Sequence, residues 1–167
     1  MSGPTVRTAT AGDAAQIAAI YAHHVLQGTG TFEIEPPDAG EINRRRSQIE
    51  QHGLPYLVAV RNDRVLGYAY AARYRPRPAY RYTVEDSVYV DPAETGRGIG
   101  KLLLPALIQV CEEAGLRQMI AVIGDSGNSA SIKLHERFGF RHTGVLHSVG
   151  FKFDRWLDTV LMQRELL

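Results

Sequence analysis

Apolar and polar positions alternate over short runs along this chain, and longer stretches of helical spacing separate those runs. Residues 4–10 alternate weakly around Val6 and read as an edge strand. Thr10 suits a helix N-cap and Asp13 its first turn. From there Ile17, Ile20, Tyr21 and His24 recur at helical spacing as far as Gly28. Residues 28–37, GTGTFEIEPP, form a connection, and 38–52 form a charged helical segment. Residues 55–61 and 64–74 read as strands joined in a hairpin by the polar pair Asn62-Asp63. The segment RYRPRPAYRY, 73–82, is an irregular basic loop, because its prolines disfavour regular structure. Thr83–Val90 is rich in β-branched residues and reads as a strand that Asp91 and Pro92 end. A helix is expected from Gly98 to Glu113, with Leu102, Leu103, Ala106, Leu107 and Val110 on its buried face and a modest kink at Pro105. Then come a strand at 118–123, a short helix at 128–138 closed by Gly139, and strands at 140–150 and 156–165. The order β-α-α-β-β-β-α-β-α-β-β predicts an α/β fold with a mixed sheet and helices on both faces.

Composition narrows the function. The 167 residues suit one domain spanning 1–167, and a domain of that size buries roughly 70% of its unfolded surface. A net charge of +1 gives no global pull toward nucleic acid or anionic membrane. Arg44, Arg45 and Arg46 therefore read as a solvated helix face with Glu41 and Glu50 nearby. No apolar run approaches the ~20 residues of a membrane span, and the N-terminus has no apolar signal region. The single cysteine, Cys111, excludes an internal disulfide framework and reads as a packed, inert thiol. These features favour a cytoplasmic setting.

Chemistry concentrates in residues 83–101, TVEDSVYVDPAETGRGIGK. A strand, a loop with Gly96, Gly98 and Gly100, and a helix start together make an anion site of backbone N–H groups and helix dipole. Two phosphate loops fail on spacing. A P-loop needs glycine at Thr95 and Ser or Thr at Leu102, and G-x-G-x-x-G needs glycine at Lys101 or Leu103. On the residues alone, a glycine-rich turn that binds nothing fits equally well. Phe32 reads alone as a local plug, Glu85 as an exposed strand carboxylate, and His135 as an inward core histidine. Asn128 reads as an N-cap.

Three motifs in order, TVEDSVYVDPAETGRGIGKLL, GNSASIKLHERFGF and VGFKFDRWLDTVLMQ, change that weighting. Together they resemble the phosphinothricin and methionine sulfoximine acetyltransferase branch of the GNAT superfamily. The resemblance implies a sheet whose middle strands splay apart and acetyl-CoA as acetyl donor, with no metal. It implies pyrophosphate binding by Gly96, Arg97, Gly98, Ile99, Gly100 and Lys101. Thr95 departs from the family's Arg or Gln, and Arg97 is the neighbouring source of the missing charge. The backbone of Val88, Tyr89 and Val90 is expected to pair with the pantetheine arm, with Asn128 and Ser131 reaching the same region.

The resemblance also assigns the acceptor side. Phe32, Arg75, Pro76, Arg77, Glu85, Asp86 and Ser87 are expected to bind a small amino-acid-like amine. An arginine grips a carboxylate through paired charge-assisted hydrogen bonds. An amine of pKa near 10 is an ammonium at neutral pH, and freeing its lone pair costs about 4 kcal/mol. Glu85 is the base candidate, acting directly or through water. His135 stands where many relatives carry a general-acid tyrosine, and sequence leaves open which of the two handles which proton. Lys152, Trp156 and Asp158 read as structural or as shaping the pocket across a homodimer. A polyamine or protein N-terminus as acceptor, or an acyl-CoA-binding module without turnover, are the rival readings.

Overall fold

The computed structural model describes residues 2–167. Its strands are β1 Thr5–Thr8, β2 Tyr56–Arg61, β3 Arg64–Arg73, β4 Thr83–Val90, β5 Gln118–Gly124, β6 Arg141–Lys152 and β7 Arg155–Glu165. Its α-helices are α1 Ala14–Gln27, α2 Ala39–Gln51, α3 Ile99–Glu113 and α4 Ser129–Arg137. The strands form one sheet in the order β1-β2-β3-β4-β5-β7-β6. Only β4 and β5 run parallel, and every other neighbouring pair is antiparallel.

Alternation along β4 divides the interior in two. Val84, Val88 and Val90 face the cluster built on Leu103, Leu104 and Leu107 of α3. Tyr89 faces the other cluster, with Ile17, Ile20 and Tyr21 of α1 and Ile42 of α2. Period-2 geometry then puts Glu85 and Ser87 on the α1–α2 side and Asp86 on the α3 side. The sheet therefore separates two layers of helices, as the element order implied.

Local chemistry explains most element ends. The β2–β3 turn holds Asn62 and Asp63 at φ 50° and 64°, the left-handed pair that a tight hairpin needs and that Asn and Asp tolerate. Asp38 caps α2 through the Glu41 amide at 2.8 Å. The arginine run of α2 is ion-paired: Arg44 to Glu41, Arg45 to Glu33 and Glu41, Arg46 to Glu50.

Two expectations shift, the buried face of α3 and the extent of the last strands. The buried stripe of α3 is Ile99, Leu103, Leu104, Leu107, Ile108 and Cys111, while Leu102 and Val110 face solvent. An apolar stretch this continuous fits two helical registers, and contact with the sheet selects one. The helix continues through Pro105, whose missing N–H affects only the carbonyl one turn earlier. The last two strands are longer than expected and meet in a two-residue turn at Phe153 and Asp154, both at positive φ. Phenylalanine is unusual at such a φ, so the sequence carries no turn signal there.

Phe32 is half-buried and packs on two glycines. A Cβ added at Gly124 would lie 3.0 Å from its ring, and one at Gly150 would overlap it. Gly144, on the same strand as Gly150, has open space around it. Gly150→Ala is expected to destabilise the fold by about 1–3 kcal/mol through overpacking. In thermal melts Gly144→Ala should lose much less, and Phe32→Ala should recover part of the Gly150→Ala loss.

Candidate active site

The site is built on a fork in the sheet. β4 and β5 pair only from Thr83↔Gln118 to Asp86↔Ala121, although the strands run on to Val90 and Gly124. On its other edge β4 stays paired with β3 throughout. The amide of Asp91 donates to Leu66 and the carbonyl of Thr83 accepts from Tyr74. In an antiparallel ladder both backbone groups of a residue point to the same neighbour, and successive residues alternate. Odd-numbered β4 residues thus bond to β3, and Val88 and Val90 turn their groups toward the gap. Tyr89, expected to join them, spends its backbone groups on Tyr68. His24 of α1 occupies one acceptor in the gap: its Nε2 lies 2.8 Å from the Val90 carbonyl oxygen. Burial holds His24 below the usual histidine range, so it is neutral near pH 7.

Beyond the fork opens a cleft of about 800 Å³ that runs from the gap to the glycine loop and α4. Gly96 and Gly98 have φ 79° and 82°, and Gly98 is the residue at which α3 begins. A side chain at either would be strained. Gly96, Gly98, Ile99, Gly100 and Lys101 line the cleft. Arg97 does not. Its side chain turns to the buried Glu94, at 3.4 Å, and Glu94 also holds Arg61 at 2.8 Å. Arg97 therefore does not replace the charge missing at Thr95. Instead Lys133 and Arg137 of α4 face the cleft beside Lys101. They stand one helical turn apart on the same face, a spacing that could have revealed them in the sequence.

Asn128 caps α4 through the Ser131 amide at 3.3 Å, and both residues line the cleft. His135, four residues on, is buried. Its Nδ1 lies 2.7 Å from the Ser131 carbonyl oxygen and its Nε2 lies 2.7 Å from Asp86 Oδ2. Phe140 packs edge-on at 4.8 Å between ring centroids. Burial opposes a charged ring here, but the Asp86 carboxylate prevails and holds His135 above the usual histidine range. Asp86, expected among acceptor-binding residues, instead sits on the α3 side, buried against His135.

The opposite face of β4 carries Glu85 and Ser87, across from Ala72 and Tyr70. Burial raises the Glu85 carboxyl above its usual range, the charge of Asp86 adds to this, and Arg75 offsets part of it. Arg75 is exposed, lies 5.1 Å from the Tyr74 ring centroid, and is near enough to act on Glu85. Pro76 and Arg77 are exposed on the same loop.

Residues 17–140 match the Acetyltransferase (GNAT) family. The chain belongs to the GNAT acetyltransferase family. It is 57% identical to a phosphinothricin N-acetyltransferase of Alcaligenes faecalis over 97% of this chain and 82% of that protein. It is 40% identical to an L-methionine sulfoximine/L-methionine sulfone acetyltransferase of Salmonella typhimurium, over 97% of this chain and 94% of that one. A GNAT phosphinothricin acetyltransferase from Sinorhizobium meliloti, solved in complex with acetyl-CoA, superposes with TM-score 0.95 at 46% identity. That match covers 99% of this chain and 89% of the other.

Cys111 lies in the GNAT core beneath the cleft, fully buried, its thiol pushed up to about 12 by burial first and the charge of Asp86 second. Native protein at pH 8 should resist a thiol-specific maleimide, and unfolded protein should label fully. Rapid native labelling, followed by mass spectrometry, would contradict the packing described.

Proposed function

We propose that this GNAT protein transfers an acetyl group from acetyl-CoA to the free amine of a small amino-acid-like acceptor of the phosphinothricin or methionine sulfoximine type. The observation that carries the reading is the fork: two β4 residues without a β5 partner, Val88 and Val90, facing a cleft that ends in a left-handed glycine loop. That arrangement fits coenzyme A. An amide-bearing arm can complete the open edge of β4 as an added strand would. A pyrophosphate suits the amides at the start of α3. Lys101, Lys133 and Arg137 supply cationic charge for phosphates. Acetyl-CoA, when bound, supplies an acetyl group activated as a thioester.

The chain's own groups divide the remaining work. Glu85 takes a proton from the acceptor ammonium, directly or through water, and its raised pKa makes it a stronger base than an ordinary carboxylate. The Val88 N–H is a fixed donor for an oxygen that gains negative charge in the fork. Arg75 attracts the acceptor carboxylate and disfavours a polycationic acceptor. Direct transfer is the reading that the burial and protonation of Cys111 support, because they leave that thiol unsuited to carry the acetyl group.

Glu85→Gln is expected to lower kcat about 10²–10⁴-fold, the usual contribution of a general base, with the KM for acetyl-CoA little changed. Glu85 acts when ionised, so a raised carboxyl pKa puts the ascending limb of the pH–rate profile above the usual carboxylate range. Full turnover of Glu85→Gln at pH 7 in a thiol-release assay would sink the base assignment. Acetyl-CoA binding without thiol release across a panel of amines would favour a non-catalytic acyl-CoA-binding module.

We further infer a cytoplasmic homodimer. β6 ends the sheet and exposes Val145, Leu146, Val149 and Phe151, with Trp156 beside them at 68% exposure. An apolar edge strand of this kind is normally covered, and a second copy is the occupant that the family resemblance supports. Sedimentation should give a dimer for the parent protein and a monomer for Phe151→Asp. A monomeric parent at micromolar concentration would overturn this inference.

A further inference from the structure

The bond between Asp86 and His135 joins residues 49 positions apart, at the apex of the fork. Asp86 is the last β4 residue paired with β5, and His135 stands in the last turn of α4. Their side chains are 1% and 5% exposed. A count of donors and acceptors fixes the protons between them. The Ser131 carbonyl can only accept, so Nδ1 must donate to it. Nε2 then faces a carboxylate oxygen at 2.7 Å. A neutral ring would set its Nε2 lone pair against that oxygen with no proton between. One proton must lie there, and imidazole is more basic than a carboxylate by about 2.6 pK units in water. Asp86 Oδ1 is buried with no hydrogen-bond partner, so among the described residues His135 is the one side chain bonded to this carboxylate.

We propose that Asp86 is a positioning residue that orients His135 and keeps both of its ring nitrogens protonated, making the two a neutral proton-holding pair at the fork. The surrounding groups are consistent with this. Glu85 on β4 and Cys111 on α3 both register the Asp86 charge. On the ring's other sides lie the Ser131 carbonyl of α4 and the apolar edge of Phe140. Arg164 of β7 donates to the Phe138 carbonyl. Among the described residues no other carboxylate is bonded to His135. Both members line the cleft, and their use in turnover rests on the acetyltransferase reading above. A thiol leaving group must gain one proton. If the pair gives that proton from the Nε2–Asp86 bond, its net charge becomes −1 and two acceptors face one another only until a proton returns. Solvent restores the pair with a proton equivalent to the one Glu85 removes from the ammonium.

The test begins on the protein without acetyl-CoA. Nitrogen-resolved NMR of the histidine side chains should show the His135 ring doubly protonated at pH 7, titrating above the usual histidine range. In Asp86→Asn the ring should be neutral at pH 7 and titrate below that range, because burial, the largest influence, is then opposed only by the Ser131 carbonyl. A wild-type ring that is neutral at pH 7, or an unchanged titration in Asp86→Asn, overturns the proposal. Stability gives a second readout. A histidine whose folded pKa is raised stabilises the fold fully below its unfolded pKa, and that gain is lost as pH rises through the folded value. The melting temperature of wild type relative to Asp86→Asn should therefore fall between pH 6 and pH 9, and a difference independent of pH counts against the pair. In turnover, Asp86→Asn should move the descending limb of the pH–rate profile to lower pH. If the NMR result holds and that limb stays fixed, the pair's catalytic use is overturned. If no amine is acetylated at all, the acetyltransferase reading fails and the NMR result is untouched.

Discussion

Two parallel strands that pair for four residues and then part are the constraint on which this structure depends. Strands normally pair to the end, because a buried amide without a partner costs about 1–3 kcal/mol. Here the parting is held from several sides. The connection between α1 and α2 wedges against the end of β5: a Cβ at Gly124 would lie 2.6 Å from the Thr29 carbonyl oxygen. The Thr29 hydroxyl donates to Asp125 at 2.6 Å, just past the strand. His24 occupies the Val90 carbonyl, so the gap cannot close by returning that acceptor to β5. Asp86 and His135 tie α4 to the last paired residue. The open amides are thus enforced by neighbours packed on both layers, and a ligand or solvent must satisfy them.

Alternation along the same strand also gives its two faces different chemistry. Because side chains alternate, β4 turns Glu85 toward the α1–α2 layer and Asp86 toward the α3 layer. The first carboxylate has one cation in reach, Arg75, and a raised pKa. The second is locked to a histidine. Adjacent residues of the same charge type are thereby given different surroundings, one facing a cation and one bonded to a histidine. Two neighbouring carboxylates take different partners only in separate environments, and a sheet one residue thick supplies them.

The elements and their order were legible because helical and strand periodicities are local. Thr83–Val90 was readable to the residue, since β-branched residues fill it and Pro92 follows. Glu85 could be placed on a face by parity alone. What escaped the sequence was non-local or degenerate. The face of α3 was ambiguous because its apolar residues run nearly continuously. The turn at Phe153 and Asp154 lacks glycine and asparagine, so nothing marks it. Asp86 was grouped with Glu85 as an acceptor ligand because proximity in sequence hides opposition across a sheet. Arg97 was read as facing the phosphates because Glu94, three residues before it, gave no sign of being buried. The capping of Val90 by His24 spans 66 positions, and no local pattern reports it.

The acceptor side is tied to the exposed sheet edge by a chain of polar contacts. Arg45 of α2 holds Glu33, Glu33 accepts from the Tyr21 hydroxyl, and Tyr21 lies 2.8 Å from the Thr31 hydroxyl. The carbonyl of Thr31 accepts from Lys152 Nζ at 2.9 Å. Lys152 closes β6, is buried, and has its pKa lowered by that burial against the attraction of Glu33. A buried ammonium with a single carbonyl partner is costly to hold, so this contact persists only while the surrounding loop stays packed. Phe32 stands in the same loop, seated on Gly150 of the same strand. The loop that covers the acceptor face is therefore anchored on β6, the strand whose outer apolar side is bare. Whatever covers that side limits the motion of β6, and through Lys152 and Phe32 it limits the loop. In this fold, contact at the β6 edge and the shape of the Phe32 loop are one mechanical problem.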